Sequence, residues 1–131
     1  MNLRSLNVGA VIPVSDIEAS RAFYEDILGL PGEPAPGGYA LRAGGTTRLY
    51  LLDVAEYAGQ ADWPLASFET DDLRATVDEL RRRGVRLEMM SDGDPYETDA
   101  RGIAAVEDML IAWFRDPDGQ VIAVFQRTSG P

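Results

Sequence analysis

Residues 14–30 of the chain read VSDIEASRAFYEDILGL, and residues 70–85 read TDDLRATVDELRRRGV. Both stretches place an Asp ahead of apolar residues at helical spacing, and both reach a Gly near their end. Asp72 follows Asp16 by 56 residues (72 − 16), which is about the length of one supersecondary module. The pattern therefore predicts a fold built from a duplicated unit.

Each copy carries its own signals for a helix start and a helix end. In the first copy, Ser15 followed three residues later by Glu18 makes a capping box, and Gly29 ends the predicted helix. In the second copy an Asp cap begins the helix and Gly84 ends it. The apolar face of the second helix consists of Leu73, Val77 and Leu80.

Short runs of β-branched, aromatic and aliphatic residues predict the strands. These runs cover residues 7–14, 39–42, 47–52, 65–69, 85–90, 109–114 and 121–126. A tight turn over residues 116–119 (DPDG) joins the last two, and the acidic residues 91–102 are predicted to form a mobile surface loop. The order is β-α-β-β-(β) twice, which makes the fold class α+β.

Length and composition limit the architecture and the partners. A chain of 131 residues supports one sizeable core, so we expect a single domain over residues 1–131, with modules at about 5–55 and 62–127. Its 22 acidic and 12 basic side chains give a net charge of −10, which opposes nucleic acid and anionic lipid. Absent cysteine excludes disulfides and thiolate nucleophiles. Without a signal peptide or a long apolar run, a cytoplasmic protein is expected.

Three groups of motifs carry a family resemblance. They are VSD at 14–16 with FY at 23–24 and LGL at 28–30, then FETDDL at 68–73, then WFRDPDG at 113–119. In order and spacing they resemble the vicinal oxygen chelate superfamily of glyoxalases, bleomycin resistance proteins, fosfomycin-modifying enzymes and extradiol dioxygenases. The resemblance covers nearly the whole chain. It implies two βαβββ modules that form a curved mixed sheet, a half-barrel around a pocket, with the helices outside, and it implies a homodimer.

The resemblance also locates the metal ligands of the family, and this chain lacks them. Metal-using members carry His or Glu at the positions that correspond here to Gly9, Leu65 and Ala123. None of these three side chains can coordinate a divalent metal, which requires imidazole or carboxylate donors. We therefore predict no metal and no other cofactor.

Strand alternation predicts which residues face the pocket. If the three former ligand positions face it, then Ser67, Glu69 and Phe125 lie on the same side, and Trp113 joins them because its two strand neighbours are expected to face the helices. An aromatic ring there either packs in the core or provides a stacking wall for a planar ligand. Four more aromatic residues are included in the predicted ligand-binding set, although each also suits ordinary packing: Tyr39, Tyr50, Trp63 and Tyr96.

Glu69 is the most informative polar residue of this set. A carboxylate on the inner face of a sheet must be solvated, paired or used by a ligand, and Arg48 on a neighbouring strand is the predicted partner in an ion pair. A role for Glu69 as a catalytic base would need a raised pKa and an aligned substrate.

These observations favour a metal-free binding protein that sequesters an aromatic or cationic compound such as an antibiotic. It would resemble the bleomycin resistance proteins and carry no catalytic residues. The rival hypothesis is a lyase, isomerase or dioxygenase that uses unfamiliar metal ligands or Glu69 as a base. A third is an accessory or regulatory protein whose pocket is vestigial.

Overall fold

The structure is a computed structural model that describes residues 2–91 and 96–129. The chain divides into two compact units, residues 1–60 and 61–131. Residues 92–95, which belong to the predicted loop at 91–102, lie outside the described residues.

The first unit contains a four-stranded sheet with one helix. Its strands are β1 (Gly9–Val14), β2 (Gly32–Ala35), β3 (Gly38–Arg42) and β4 (Arg48–Asp53). The helix α1 (Ile17–Arg21) continues as a π-helix over Ala22–Ile27, and short 3₁₀ helices cover Leu3–Ser5 and Ala55–Tyr57. The strand order is β1-β4-β3-β2, with β1 parallel to β4 and the other pairs antiparallel.

The second unit repeats this arrangement. Its elements are β5 (Ser67–Glu69), α2 (Leu73–Arg82), β6 (Ala104–Val106), β7 (Met109–Arg115) and β8 (Val121–Arg127). The strand order is β5-β8-β7-β6, again with the first and last strands parallel and the others antiparallel. Both sheets are open. The predicted α+β fold of two β-α-β-β-β modules is confirmed.

One face of each sheet is covered by the helix of its own unit. In the second unit α2 packs against β7 and β8 and buries Leu73 and Val77. In the first unit α1 contacts β4, and the same sheet face buries Ile12 and Leu51, which are paired across β1 and β4. Burial of these side chains is the main favourable contribution to folding, about 1.5–3 kcal/mol for each.

The helix starts differ in one respect from the sequence prediction. Asp16, rather than Ser15, is the N-cap of α1, and its carboxylate accepts hydrogen bonds from the backbone N–H groups of Glu18 and Ala19. The N-cap therefore lies one residue later than predicted, because Asp16 takes the capping role. In α2 the predicted Asp cap is confirmed: the Asp72 carboxylate accepts from the Ala75 N–H at 3.1 Å.

Three strand predictions also need correction. Residues 85–90 form no named strand, since Leu87 makes only an isolated bridge to Phe114. Two strands were not predicted, Gly32–Ala35 and Ala104–Val106. Both are edge strands, and the first contains Pro34, which an edge strand tolerates because its N–H side needs no partner. Among the described residues, no helix is long and apolar enough to cross a membrane.

Candidate functional site

The face of the second sheet that α2 leaves uncovered carries most of the predicted site. Strand register pairs Ser67 with Ala123 and Ala123 with Trp113, so these three side chains form one row on this face. The next row holds Glu69 and Phe125. The strand register thus places Trp113 on the side of the sheet that alternation predicts, opposite to its neighbours Ala112 and Phe114.

Trp113 is at the centre of a small apolar cluster on this face. Its indole is 6% exposed and packs with Ala104 and Ala123, which are both buried. Four partly buried side chains surround the three: Met90, Val106, Ile111 and Val121. Both alanines contact the indole through side chains that do not extend beyond the Cβ atom.

Tyr96 stacks on Trp113. The two ring centroids are 6.0 Å apart with an interplanar angle of 23°, and the tyrosine is 46% exposed. The chain segment that carries Tyr96 is fixed at its base, where Thr98 donates its N–H to the Met90 carbonyl at 3.0 Å and accepts from the Met90 N–H through its hydroxyl at 2.8 Å. Two of the predicted site residues are therefore in ring contact, although they are distant in sequence.

Glu69 is ion-paired at the edge of this face, but not to the predicted partner. Its carboxylate accepts a hydrogen bond from Arg127 Nε at 2.5 Å, and both side chains are about half exposed. The prediction of an ion pair with Arg48 is wrong. Arg127 lies two residues beyond the strand partner of Glu69, Phe125, and hence on the same face of the sheet.

Tyr39 lies in the first unit, on the face of the sheet that the helix covers. It pairs with Leu51 in register, is buried with it on the helix-covered side of the first sheet, and donates its hydroxyl hydrogen to Glu25 at 2.8 Å. The guanidinium of Arg21 lies 4.3 Å from the centre of the tyrosine ring. The hydrogen bond to Glu25 raises the pKa of Tyr39 above its ordinary value. This placement explains Tyr39 as a link between sheet and helix, so we do not include it in the candidate site.

The raised pKa of Tyr39 predicts a pH-dependent contribution to stability. The folded state holds the phenol proton more tightly than the unfolded state, so the stabilisation is complete below the unfolded pKa of about 10 and is lost as the pH rises through the folded pKa. Tyr39→Phe should therefore be less stable than the parent at pH 8, and the difference should shrink toward pH 11. Urea unfolding at both pH values measures it. A difference that grows with pH would contradict the hydrogen bond as its source.

Two other predicted residues lie apart from the Trp113 cluster. Tyr50 is 36% exposed on the uncovered face of the first sheet. Trp63 is 63% exposed in the loop before β5, and its backbone carbonyl accepts a hydrogen bond from the buried Gln120 side chain. For the whole predicted set, ligand contact stays a prediction.

The three positions of the family metal ligands do not fit a metal. A Cβ atom at Gly9 would lie 2.7 Å from the Arg48 carbonyl oxygen and 3.0 Å from a ring carbon of Tyr50, so a longer side chain there requires the strands to shift. Ala123 is fully buried within the Trp113 cluster, and Leu65 is a half-buried hydrocarbon. Within residues 2–91 and 96–129, no group of three acidic side chains is placed to hold a metal ion. We therefore derive no metal-dependent step.

Residues 8–124 match the Glyoxalase/Bleomycin resistance protein/Dioxygenase superfamily. The chain belongs to this superfamily. Membership accounts for the duplicated module and for the two sheets of identical strand order, and it leaves the chemistry of each member to its own side chains.

Individual relatives show how wide this family is. The chain is 32% identical over 127 residues to the uncharacterised protein YraH of Bacillus subtilis (strain 168), covering 86% of this chain and 91% of YraH. It is 27% identical to TnmS3, an antibiotic binding protein from Streptomyces sp. CB03234, with a TM-score of 0.67 and coverage of 97% and 99%. A lactoylglutathione lyase from Agrobacterium tumefaciens is 23% identical, with a TM-score of 0.61 and 93% coverage of each chain, a likeness of fold alone.

Proposed function

We propose that this protein is a metal-free binding protein that sequesters a planar aromatic compound, such as an antibiotic, on the Trp113 face of its second unit. The observation that carries the proposal is the stack of Tyr96 on Trp113 above the cluster of Ala104 and Ala123. A half-exposed tyrosine on a buried indole provides a second ring wall that a planar ligand can contact. Capture by such walls requires no chemical step.

The energetics of capture follow from the two rings. A planar ligand between them needs a centroid separation of about 7 Å, twice the contact distance of about 3.5 Å, so the observed 6.0 Å must widen by about 1 Å. Each aromatic contact adds about 0.5–1.5 kcal/mol beyond the burial of apolar area. Ser67 and the Glu69–Arg127 pair border the same face and can bind polar groups of the ligand.

The comparisons support a binding function. TnmS3, whose identity to this chain is above 25%, is an antibiotic binding protein. The enzymatic alternative requires metal donors or a catalytic base. The family donor positions do not provide the donors, and Glu69 is held in an ion pair with Arg127. Elemental analysis of the purified protein separates these readings, because one tightly bound zinc, iron, nickel or manganese per chain would favour the enzyme.

Tyr96→Ala should weaken binding of a planar ligand by about 1 kcal/mol, because one of the two ring walls is lost. The probes are emodin, a neutral planar anthraquinone, and bleomycin, which carries a planar bithiazole and a cationic tail. Titration calorimetry measures the affinity. Tyr57→Ala is the matched control, since Tyr57 is also an exposed tyrosine and lies in the first unit. Equal affinity of the Tyr96→Ala and Tyr57→Ala variants for the probes would contradict a contact between the ligand and the Tyr96 ring.

Fluorescence shows whether the probe reaches the indole. The chain has two tryptophans, so Trp113 is the only reporter left in Trp63→Phe. Bound emodin should quench this single indole with the same midpoint that calorimetry gives. Binding without quenching would place the probe elsewhere and contradict the proposed site.

Glu69→Gln should weaken bleomycin more than emodin, because the substitution removes the negative charge beside the site and leaves the shape unchanged. The expected difference is below about 1 kcal/mol, since the carboxylate is half exposed and already paired. Asp78→Asn is the control, because Asp78 of α2 forms a comparable exposed ion pair with Arg101. An equal loss for the neutral and the cationic probe would contradict an electrostatic role for Glu69.

The homodimer and the cytoplasmic location also stay proposals. Sedimentation at micromolar concentration tests the homodimer.

A further inference from the structure

Two arginines that the proposed function does not use lie side by side on the first sheet. Arg42 of β3 and Arg48 of β4 are direct partners in the antiparallel register, so their side chains leave the same face with Cβ atoms about 5 Å apart. Together with Tyr50, Ala40, Gly32 and Glu33 they line a pocket of about 240 Å³. All six of these lining residues belong to the first unit.

The charge of this pair is not neutralised within the described part of the chain. There, no carboxylate oxygen lies within 4.0 Å of either guanidinium, whereas seven other arginines form such pairs. Like charges directly opposite each other on a sheet are destabilising. A chain with 22 acidic side chains has many ways to pair two arginines, so their juxtaposition in a pocket indicates a counter-ion that arrives as a ligand.

Small residues are the strand partners of Arg48 and Tyr50. Gly9 is the partner of Arg48 on the other side of β4, and Ala40 is the partner of Tyr50. The Tyr50 ring reaches over Gly9, where a Cβ atom would lie 3.0 Å from its Cε2. The pocket thus combines two planar guanidinium forks with a half-exposed phenol ring. It is smaller than the pockets of about 300–1,000 Å³ that take drug-sized ligands, which limits the occupant to a small group.

We propose that Arg42 and Arg48 form a binding site for the oxyanion group of a small organic acid, with the Tyr50 ring against its apolar part. Guanidinium groups match carboxylates in planar, bidentate geometry, and charge-assisted hydrogen bonds of this kind are stronger than neutral ones. Glu33 lines the same pocket and opposes an anion, so it disfavours highly charged ligands and favours a single carboxylate. The site therefore selects a monoanion although the chain as a whole is acidic.

The test compares three probes of the same shape and different charge: benzoate, benzamide and benzamidine. Binding to the full chain is measured by NMR titration at low salt, with inorganic phosphate as a fourth probe that carries no ring. Benzoate should bind most tightly and should shift the amide signals of residues 40–50. Phosphate binding as tight as benzoate would show that the ring contact with Tyr50 is absent. Equal affinity for benzoate and benzamide, or no benzoate binding, would overturn the proposal.

Variants of Arg42 and Arg48 test whether these two residues bind benzoate. Arg42→Gln and Arg48→Gln should each weaken benzoate about tenfold, as expected for one lost hydrogen bond to a charged group. Arg86→Gln removes the same charge from an exposed arginine of the second unit and should leave the affinity within about twofold. Glu33→Gln should strengthen binding. If benzoate affinity survives both pocket substitutions and falls in Tyr96→Ala, the anion binds at the Trp113 face and this site is wrong, while the proposed function stands.

Discussion

Replacing Trp113 with alanine is expected to lower the free energy of unfolding by about 3–5 kcal/mol, the usual cost of removing a large buried aromatic side chain. The indole is 6% exposed and touches Ala104 and Ala123, whose short side chains cannot move in to fill the space that it leaves. The same substitution should weaken a planar probe by about 1–3 kcal/mol through lost burial and ring contact. Chemical unfolding and calorimetry measure the two effects separately.

Two controls keep this prediction falsifiable. Trp113→Phe retains one ring, so it should fold and still lose part of the affinity for emodin. Trp63→Ala removes the other tryptophan, which is 63% exposed, and should change stability by about 0.5 kcal/mol or less. Unchanged affinity in Trp113→Phe, with reduced stability, would mean that the indole is only a core residue.

The sequence predicted α2 and the β7–β8 hairpin of the second unit because the signals for both are local. Asp72 caps α2, and Gly84, with φ +88°, follows the end of that helix in the left-handed conformation that glycine favours. The DPDG turn fixes the β7–β8 hairpin, and period-two alternation then places Trp113 and Phe114 on opposite faces. In such a segment a few residues determine both the secondary structure and the side of the sheet on which each side chain lies.

The failed prediction of an ion-pair partner for Glu69 concerns pairing between distant residues. The partner of Glu69 depends on the register of β5 against β8, and no pattern near Glu69 specifies Arg127. Alternation with Ala40 and Leu41 places Tyr39 on the helix-covered side of the first sheet, while its contact with a ligand stays a prediction. Gly32–Ala35 was missed because Gly and Pro lower strand propensity, and edge pairing with β3 overrides that tendency.

The pairing of Arg42 with Arg48 could not be predicted from the sequence either. Arg42 and Arg48 are six residues apart in the sequence, on either side of a Gly-rich turn, and nothing in their spacing marks a site. Only the register of β3 and β4 makes them direct neighbours. Arg48 was predicted only as an ion-pair partner of Glu69, and the sheet topology places it beside Arg42 instead.

A glutamate at position 123, where the family resemblance implies one in metal-using members, should destabilise the protein rather than create a metal site. Ala123 is fully buried among Trp113 and Ala104, so Ala123→Glu places a carboxylate without a partner in an apolar cluster. The expected loss is about 3–5 kcal/mol, the cost of an uncompensated buried charge. Added zinc should not rescue stability, because Gly9 and Leu65 provide no further donors and one carboxylate alone is too few ligands.

The pH dependence of this variant distinguishes a buried charge from simple overpacking. Burial raises the pKa of a carboxyl group, so the folded state binds the proton more tightly than the unfolded state. The penalty is therefore complete above the folded pKa and disappears as the pH falls below the unfolded value of about 4.3. Ala123→Gln has the same volume without the charge, and its difference in stability from Ala123→Glu should shrink between pH 7.5 and pH 4. A constant difference, or a rise in melting temperature with zinc, would contradict a closed apolar cluster at Ala123 and reopen the enzymatic hypothesis.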